Sequence, residues 1–150
     1  DITIVSSSHM VLESMKAAYY LEKDGISTEV IDLRTLKPID CESIVNSIEK
    51  TGSLLVVDGA CHTSGFAAEI IATVTEKAFG YLKSSPQRVT LPDLPTPTSP
   101  ALANLYYPRT IDIINVARST FKLPKKTEED LGIKHDQPLD VPDKSFTGPF

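Results

Sequence analysis

The residues best equipped for chemistry stand in a few short clusters. Cys61 and His62 are adjacent, and a thiolate beside an imidazole is the pairing that activates a cysteine nucleophile. Adjacent side chains diverge, however, and a catalytic pair must meet within hydrogen-bonding reach. The two residues therefore read as part of the loop Gly59-Ala60-Cys61-His62-Thr63-Ser64-Gly65. Ser6-Ser7-Ser8-His9 follows the first strand, where a nucleotide-binding sheet carries a glycine-rich turn that holds phosphate at a helix N-terminus. It has no glycine, so a capped helix start is the simpler reading; a phosphate site built from hydroxyls and the helix dipole is the alternative. His9 and His135 are isolated, which favours surface or capping roles over ligation. Cys41 falls on an apolar stripe and reads as core. Arg34 suits either a surface ion pair or a carboxylate across an interface, and Glu69 either solvent or an interfacial hydrogen bond. No nucleophile has a base, no acids are paired and no metal-ligand spacing occurs. The residues by themselves describe a non-catalytic domain.

The elements that must position these residues alternate in type. Asp1 to Ser6 alternates and is rich in Ile, Thr and Val, the pattern of a strand. Ser8 then caps a helix to about Asp24, with Gly25 as its stop. Val11, Met15, Ala18 and Tyr19, with Leu12 and Leu21 at the margins, form the stripe expected to face a sheet. A second strand spans Thr28 to Leu33, and Pro38 with Asp40 opens a second helix whose stripe is Cys41, Ile44, Val45 and Ile48, closed by Thr51-Gly52. Ser53 to Asp58 is a continuous apolar run, the signature of a central parallel strand. The longest helix is expected from Ser64 to about Leu82. Its apolar residues Phe66, Ala67, Ile70, Ile71, Val74, Ala78 and Tyr81 spread more widely than one sheet-facing stripe needs, which points part of it at another subunit. Gln87 to Leu91 is a fourth strand, Pro92 to Pro100 an extended crossing, and Thr110 the cap of a last helix containing Ile113, Ile114, Ala117 and Phe121. The expected fold is a three-layer α/β/α sandwich with a mainly parallel sheet over residues 1–121, followed by an extended tail over 122–150.

Bulk properties narrow the function. The chain has 150 residues, 41% of them hydrophobic, which suffices for one ordinary core without staples. A net charge of -5 argues against nucleic acid, which requires clustered Lys and Arg. No apolar run approaches the ~20 residues that span a bilayer. Two cysteines are too few for a disulfide framework, so a reducing compartment is the simpler assumption. The absence of an initiator Met and a start directly on a strand suggest a fragment or a processed product.

Several segments, in order, resemble the C-terminal domain of the β subunits of pyruvate and branched-chain 2-oxo acid dehydrogenases, a domain shared more distantly with transketolase and deoxyxylulose-phosphate synthase. They are Asp1-Ile2-Thr3-Ile4-Val5; Glu29-Val30-Ile31-Asp32-Leu33-Arg34-Thr35-Leu36-Lys37-Pro38-Ile39-Asp40; Lys50-Thr51-Gly52 with Leu54-Leu55-Val56-Val57; and Thr63-Ser64-Gly65-Phe66-Ala67-Ala68-Glu69-Ile70. Pro92-Asp93-Leu94-Pro95-Thr96-Pro97, Tyr107-Pro108 and Asp112-Ile113 complete the order. The resemblance implies an assembly and partner-docking domain without catalytic groups, in an enzyme that decarboxylates a 2-oxo acid oxidatively. It implies thiamine diphosphate and magnesium bound elsewhere, between an α subunit and the N-terminal part of the β subunit. The implied partners are those two, a second β subunit and the acyltransferase component, in the cytoplasm or the mitochondrial matrix. The resemblance also implies a preceding antiparallel strand that is not found before Asp1, leaving one sheet edge unpaired.

The expected interface residues are Arg34, His62, Ser64, Phe66, Glu69, Ile70 and Val74. Two other readings stand beside this one: a transketolase or deoxyxylulose-phosphate synthase piece, and an independent small-ligand module using residues 6–9 and 59–65. Leu131, Ile133, Leu139, Val141, Phe146 and Phe150 give the tail apolar points with which to wrap a neighbour, and disorder is the other reading of that stretch.

Overall fold

The computed structural model describes residues 1–135, 138, 140–142 and 144–147; Leu139 and Phe150 of the expected tail anchors lie outside them. In chain order the described elements are β1 (Ile2–Ser6), α1 (Met10–Lys23), β2 (Thr28–Asp32), α2 (Cys41–Thr51), β3 (Leu54–Cys61) and α3 (Phe66–Ala78). A single 3-10 turn (Phe79–Tyr81) leads on to β4 (Gln87–Leu91), α4 (Pro100–Tyr106), α5 (Thr110–Thr120) and α6 (Glu128–Leu131). The strands form one parallel sheet in the order β2-β1-β3-β4. From β1 the connection runs outward to β2, and from β3 outward to β4, so the order reverses between β1 and β3. The sandwich expected from the sequence is present.

Period-two alternation along the central strands builds the two faces. Ile2, Ile4, Leu55 and Val57 point to one side, where α1 and α5 cover them with Met10, Ala17, Leu21, Ile113, Ile114 and Ala117. Val5, Leu54 and Val56 point to the other, against Ile44 and Ile48 of α2 and Ala67, Ile70, Val74 and Ala78 of α3. Thr3 is the polar exception on that face. Its hydroxyl is bonded to those of Ser47 at 2.7 Å and Thr51 at 2.8 Å, so the fully buried oxygen is satisfied.

The α1 stripe is not the one expected. Its buried residues are Met10, Glu13, Ser14, Ala17 and Leu21, a regular helical spacing that two polar residues disguise. Met15 and Tyr19 are 55% and 57% exposed. Ser14 stays inside because its hydroxyl donates to the Met10 carbonyl at 2.8 Å. Glu13 stays inside because Oε2 accepts from the Thr110 N–H at 2.9 Å and hydroxyl at 2.6 Å. Thr110 therefore serves Glu13 and does not cap α5; Asp112 reaches back to the Arg109 N–H instead, at 2.7 Å. Ser8 is no cap either, having φ 54° and offering α1 only its carbonyl. The α2 cap is as expected, with Asp40 accepting from the Ser43 N–H at 3.1 Å and Gly52 closing the helix at φ 76°. Cys41 is only half-buried, since the α2 stripe runs through Ile44, Ser47 and Ile48.

Candidate docking surface

The carboxyl ends of the four strands carry nearly all the residues singled out in the sequence, spread along one edge. Asp58 ends the buried run of β3 and organises the loop after it. One carboxylate oxygen accepts from the Ala60 N–H at 3.2 Å and the other from the Ala67 N–H at 3.1 Å. A carboxylate there satisfies an orphan donor in the first turn of α3 and sits at the favourable end of its dipole. Gly65 lets the loop close, because a Cβ at that position would stand 2.1 Å from the Cys61 carbonyl oxygen. The turn into α3, which at 13 residues is shorter than the span to Leu82 expected of it, must therefore carry a glycine for reasons of space.

His62 and Thr63 are fixed from β4. The Arg88 guanidinium donates to the His62 carbonyl and to Nε2, both at 2.9 Å, while Nδ1 lies 3.0 Å from the Thr90 hydroxyl. Arginine has only donors, so Nε2 accepts and the ring proton is on Nδ1, facing Thr90. Both nitrogens are engaged, which leaves none for Cys61. Thr63 gives its N–H and its hydroxyl to Asp93 at 2.8 and 2.6 Å, and these two bonds hold the Asp93 carboxyl below its ordinary value. Past Asp93 a cavity of about 500 Å³ runs along the β4 edge to α4, lined by His62, Arg88, Leu105, Tyr107 and Asp112 among others. Leu105 lines it at 85% exposure, and Leu94 and Leu102 of the same stretch of chain are 64% and 57% exposed. The sequence reading missed α4 and this apolar rim; the available signal was three leucines in a Pro-rich stretch with no helical repeat.

The other expected residues divide. Ser64 and Glu69 are exposed, Phe66 is half-buried, and all three belong to the same loop and first turn. Ile70 and Val74, at 2% and 1% exposure, belong to the core beneath and present nothing to a partner. Most of the apolar spread of α3 is explained by the sheet side, where Phe66 and Ile71 also pack in part, whereas Tyr81 lies in the turn after the helix and is 49% exposed. Arg34 is remote from these residues, since β2 and β4 are opposite edges of the sheet. It is exposed, paired with Asp32 at 3.1 Å, and borders a hollow lined by Val11, Leu12 and Leu36.

Between these two ends, His9 fills the place where the strand order reverses, its Cε1 within 3.1 Å of where a Gly59 Cβ would be. Burial, and after it the positive charge of Arg109, lowers the His9 pKa, with Glu13 opposing them. Loops 6–9 and 59–65 thus meet, and an imidazole occupies the gap. Among the described residues no group of three or more His, Cys, Asp or Glu side chains could hold a metal ion, and no helix is long and apolar enough to cross a membrane.

Residues 1–113 match the family model described as the C-terminal domain of transketolase. The chain belongs to that family. Among curated relatives, it is 43% identical over 122 residues to the acetoin:2,6-dichlorophenolindophenol oxidoreductase subunit beta of Cupriavidus necator, covering 81% of this chain and 36% of that protein. It is 45% identical over 118 residues to the mitochondrial pyruvate dehydrogenase E1 component subunit beta of Dictyostelium discoideum, covering 79% and 33%. Against the corresponding subunit of Bacillus subtilis the identity is 41%, over 81% of this chain and 37% of the relative. The chain thus spans about a third of the length of these curated relatives. A solved structure described as a split-gene transketolase, inactive β4 tetramer, superposes with a TM-score of 0.70 at 27% identity, over 84% of this chain and 40% of that one.

Proposed function

We propose that this chain forms the C-terminal domain of the β-type subunit of a thiamine-diphosphate-dependent 2-oxo acid dehydrogenase, where it serves assembly and partner docking. The observation that carries the reading is identity of 41% to 45% with β subunits of pyruvate and acetoin oxidoreductases over four fifths of the chain. The 27% identity to a transketolase ranks that alternative lower. Residues 1–121 form the domain and residues 122–150 an appendage to it.

The groups in hand suit binding better than bond-making. His62 is held in one tautomer by Arg88 and Thr90, Cys61 has no base directed at it, and the turn after β1 has no glycine with which to wrap a diphosphate. The donor set therefore does not fit a thiamine diphosphate and magnesium site, and no reaction step is assigned to this chain. The proposed contact residues are Arg34 at one end of the carboxyl edge and His62, Ser64, Phe66 and Glu69 at the other, with Leu94, Leu102 and Leu105 beyond them. Their partners are the N-terminal thiamine-binding part of the β-type subunit, an α-type subunit, a second β-type subunit and the acyltransferase component. The setting is the cytoplasm or the mitochondrial matrix, the Dictyostelium relative being a mitochondrial protein.

The test combines the chain with an α-type subunit and the N-terminal part of a β-type subunit, and measures 2-oxo acid decarboxylation with and without thiamine diphosphate and magnesium. Turnover is expected only when all three pieces and both cofactors are present. Stable association of the pieces with no turnover of pyruvate or any branched-chain 2-oxo acid would overturn the reading.

A further inference from the structure

Described residues beyond Phe121, among them 132–135, fold back on α1 and close a cavity against it. The first part of this stretch is tied down firmly. Lys126 and Asn115 exchange two hydrogen bonds, at 2.8 and 3.0 Å, Asp24 pairs with both Arg118 and Lys126, and Leu131 and Ile133 pack on the core. The cavity, about 520 Å³, lies between the outer face of α1, the start of α5 and residues 132–135. That volume falls in the range of small-molecule sites.

Two kinds of surface meet there. Tyr19 and Tyr20, edge to face at 5.4 Å, form with Met15 and Ile133 an aromatic and aliphatic wall. Among the described lining residues Arg109 and Lys134 are positive, as is Lys16, which stands 3.9 Å from the Glu13 carboxylate. His135 is engaged by Glu128 at 2.7 Å. Glu13 is already committed to Thr110 through Oε2. Arg109 is not satisfied in the same way. Its side chain is 12% exposed, and the nearest carboxylate oxygen among the described residues, Glu13 Oε1, is 3.8 Å away, beyond hydrogen-bonding reach. It donates to the Val141 carbonyl at 3.2 Å, while Nε is buried with no partner among the described residues. A guanidinium so enclosed ordinarily holds a hydrogen-bonded anion.

We propose that this cavity binds a small organic anion, a carboxylate or phosphate carried on a flat apolar body. Arg109 and Lys134 take the charged group, and Tyr19 and Tyr20 take the body. One wall of the site comes from residues beyond the 1–113 that match the family, and the rest from residues within them.

The experiment uses the full chain, whose five tyrosines and lack of tryptophan make tyrosine emission a direct reporter. Benzoate, phenyl phosphate, neutral benzamide and inorganic phosphate are titrated separately, with thermal melts in parallel. Expected are saturable quenching and a raised Tm with benzoate or phenyl phosphate, and binding weaker by about tenfold or more with benzamide and inorganic phosphate. Whichever aryl anion binds more tightly sets the headgroup class. Lys134→Glu and Tyr19→Ala alter exposed side chains, so both variants should keep the parent's melting behaviour while weakening binding about tenfold. Equal affinity for benzamide and benzoate, no saturable response to either anion, or full affinity in Lys134→Glu would each overturn the proposal.

Discussion

Gly65 shows how a single residue type can be fixed by space alone. A methyl group there meets the Cys61 carbonyl oxygen at 2.1 Å, whereas at Gly80 it would meet nothing within 4 Å. Gly65→Ala is therefore expected to cost about 1–3 kcal/mol by overpacking and to displace the loop that holds His62, while Gly80→Ala leaves the urea midpoint nearly unchanged. Matching midpoints for the two variants would show that the loop yields. His9 gives a second prediction, this one in pH. Its folded pKa is lowered by burial and by Arg109, so the unfolded chain binds its proton first. The resulting stability is present above the ordinary value near 6.5 and is lost as pH falls from there to the folded value. Tm should drop as pH goes from about 7 to 5, and His9→Gln should flatten that part of the curve. The Asp24 and Asp93 carboxyls, both held low by their hydrogen bonds, act only below that window.

At the scale of elements, the sequence was legible where apolar spacing and turn chemistry agreed. All four strands, α2 with its Asp40 cap and Gly52 stop, and the apolar face of α5 could be read directly. Helix α1 was misread because its inner face holds Glu13 and Ser14, whose partners come from a residue almost a hundred positions away and from its own preceding turn; no local pattern announces either. Helix α4, seven residues behind a run of prolines, shows no repeat long enough to see. Helix α6 is shorter still, four residues held by the Thr127 and Asp130 exchange. What anchors the stretch after α5 is charge: Arg118, 6% exposed, faces Asp24, which Lys126 also meets. Asp24→Ala leaves that guanidinium buried without its carboxylate. The expected loss is about 3 kcal/mol, with faster tryptic cleavage after Lys125, Lys126 and Lys134. An unchanged cleavage rate would mean that the aliphatic contacts of Leu131 and Ile133 suffice.

For the whole molecule, the sandwich follows from one regularity, strands of alternating or continuous apolar residues separated by helices, and that regularity survived every local error. The docking surface was less legible. The loop at Cys61 to Gly65 was found because it follows a buried strand, but its ties to Arg88, Thr90 and Asp93 depend on the β3 to β4 pairing, and Ile70 and Val74 were placed outside when the sheet needs them inside. The two sheet edges differ in kind. At β2, Glu29 carries a charge balanced by Lys50 at 2.8 Å, a device that discourages further strands. The β4 edge instead leads to exposed leucines, the more apolar of the two approaches.

The position of β1 in the sheet has a consequence in time. Ile4 lies opposite Leu55, Glu13 holds Thr110 across 97 positions and Asp24 holds Lys126 across 102. Loop-closure entropy must be met before such distant pairings return anything, and chains dominated by them condense slowly. The first strand is the most enclosed part of the finished molecule, and it is covered on both sides only once β2 and β3, 26 and 51 positions further on, have paired with it. While it waits, Ile2 to Val5 is an exposed apolar segment with both edges open, the interval in which a chaperone or a sister chain would find it.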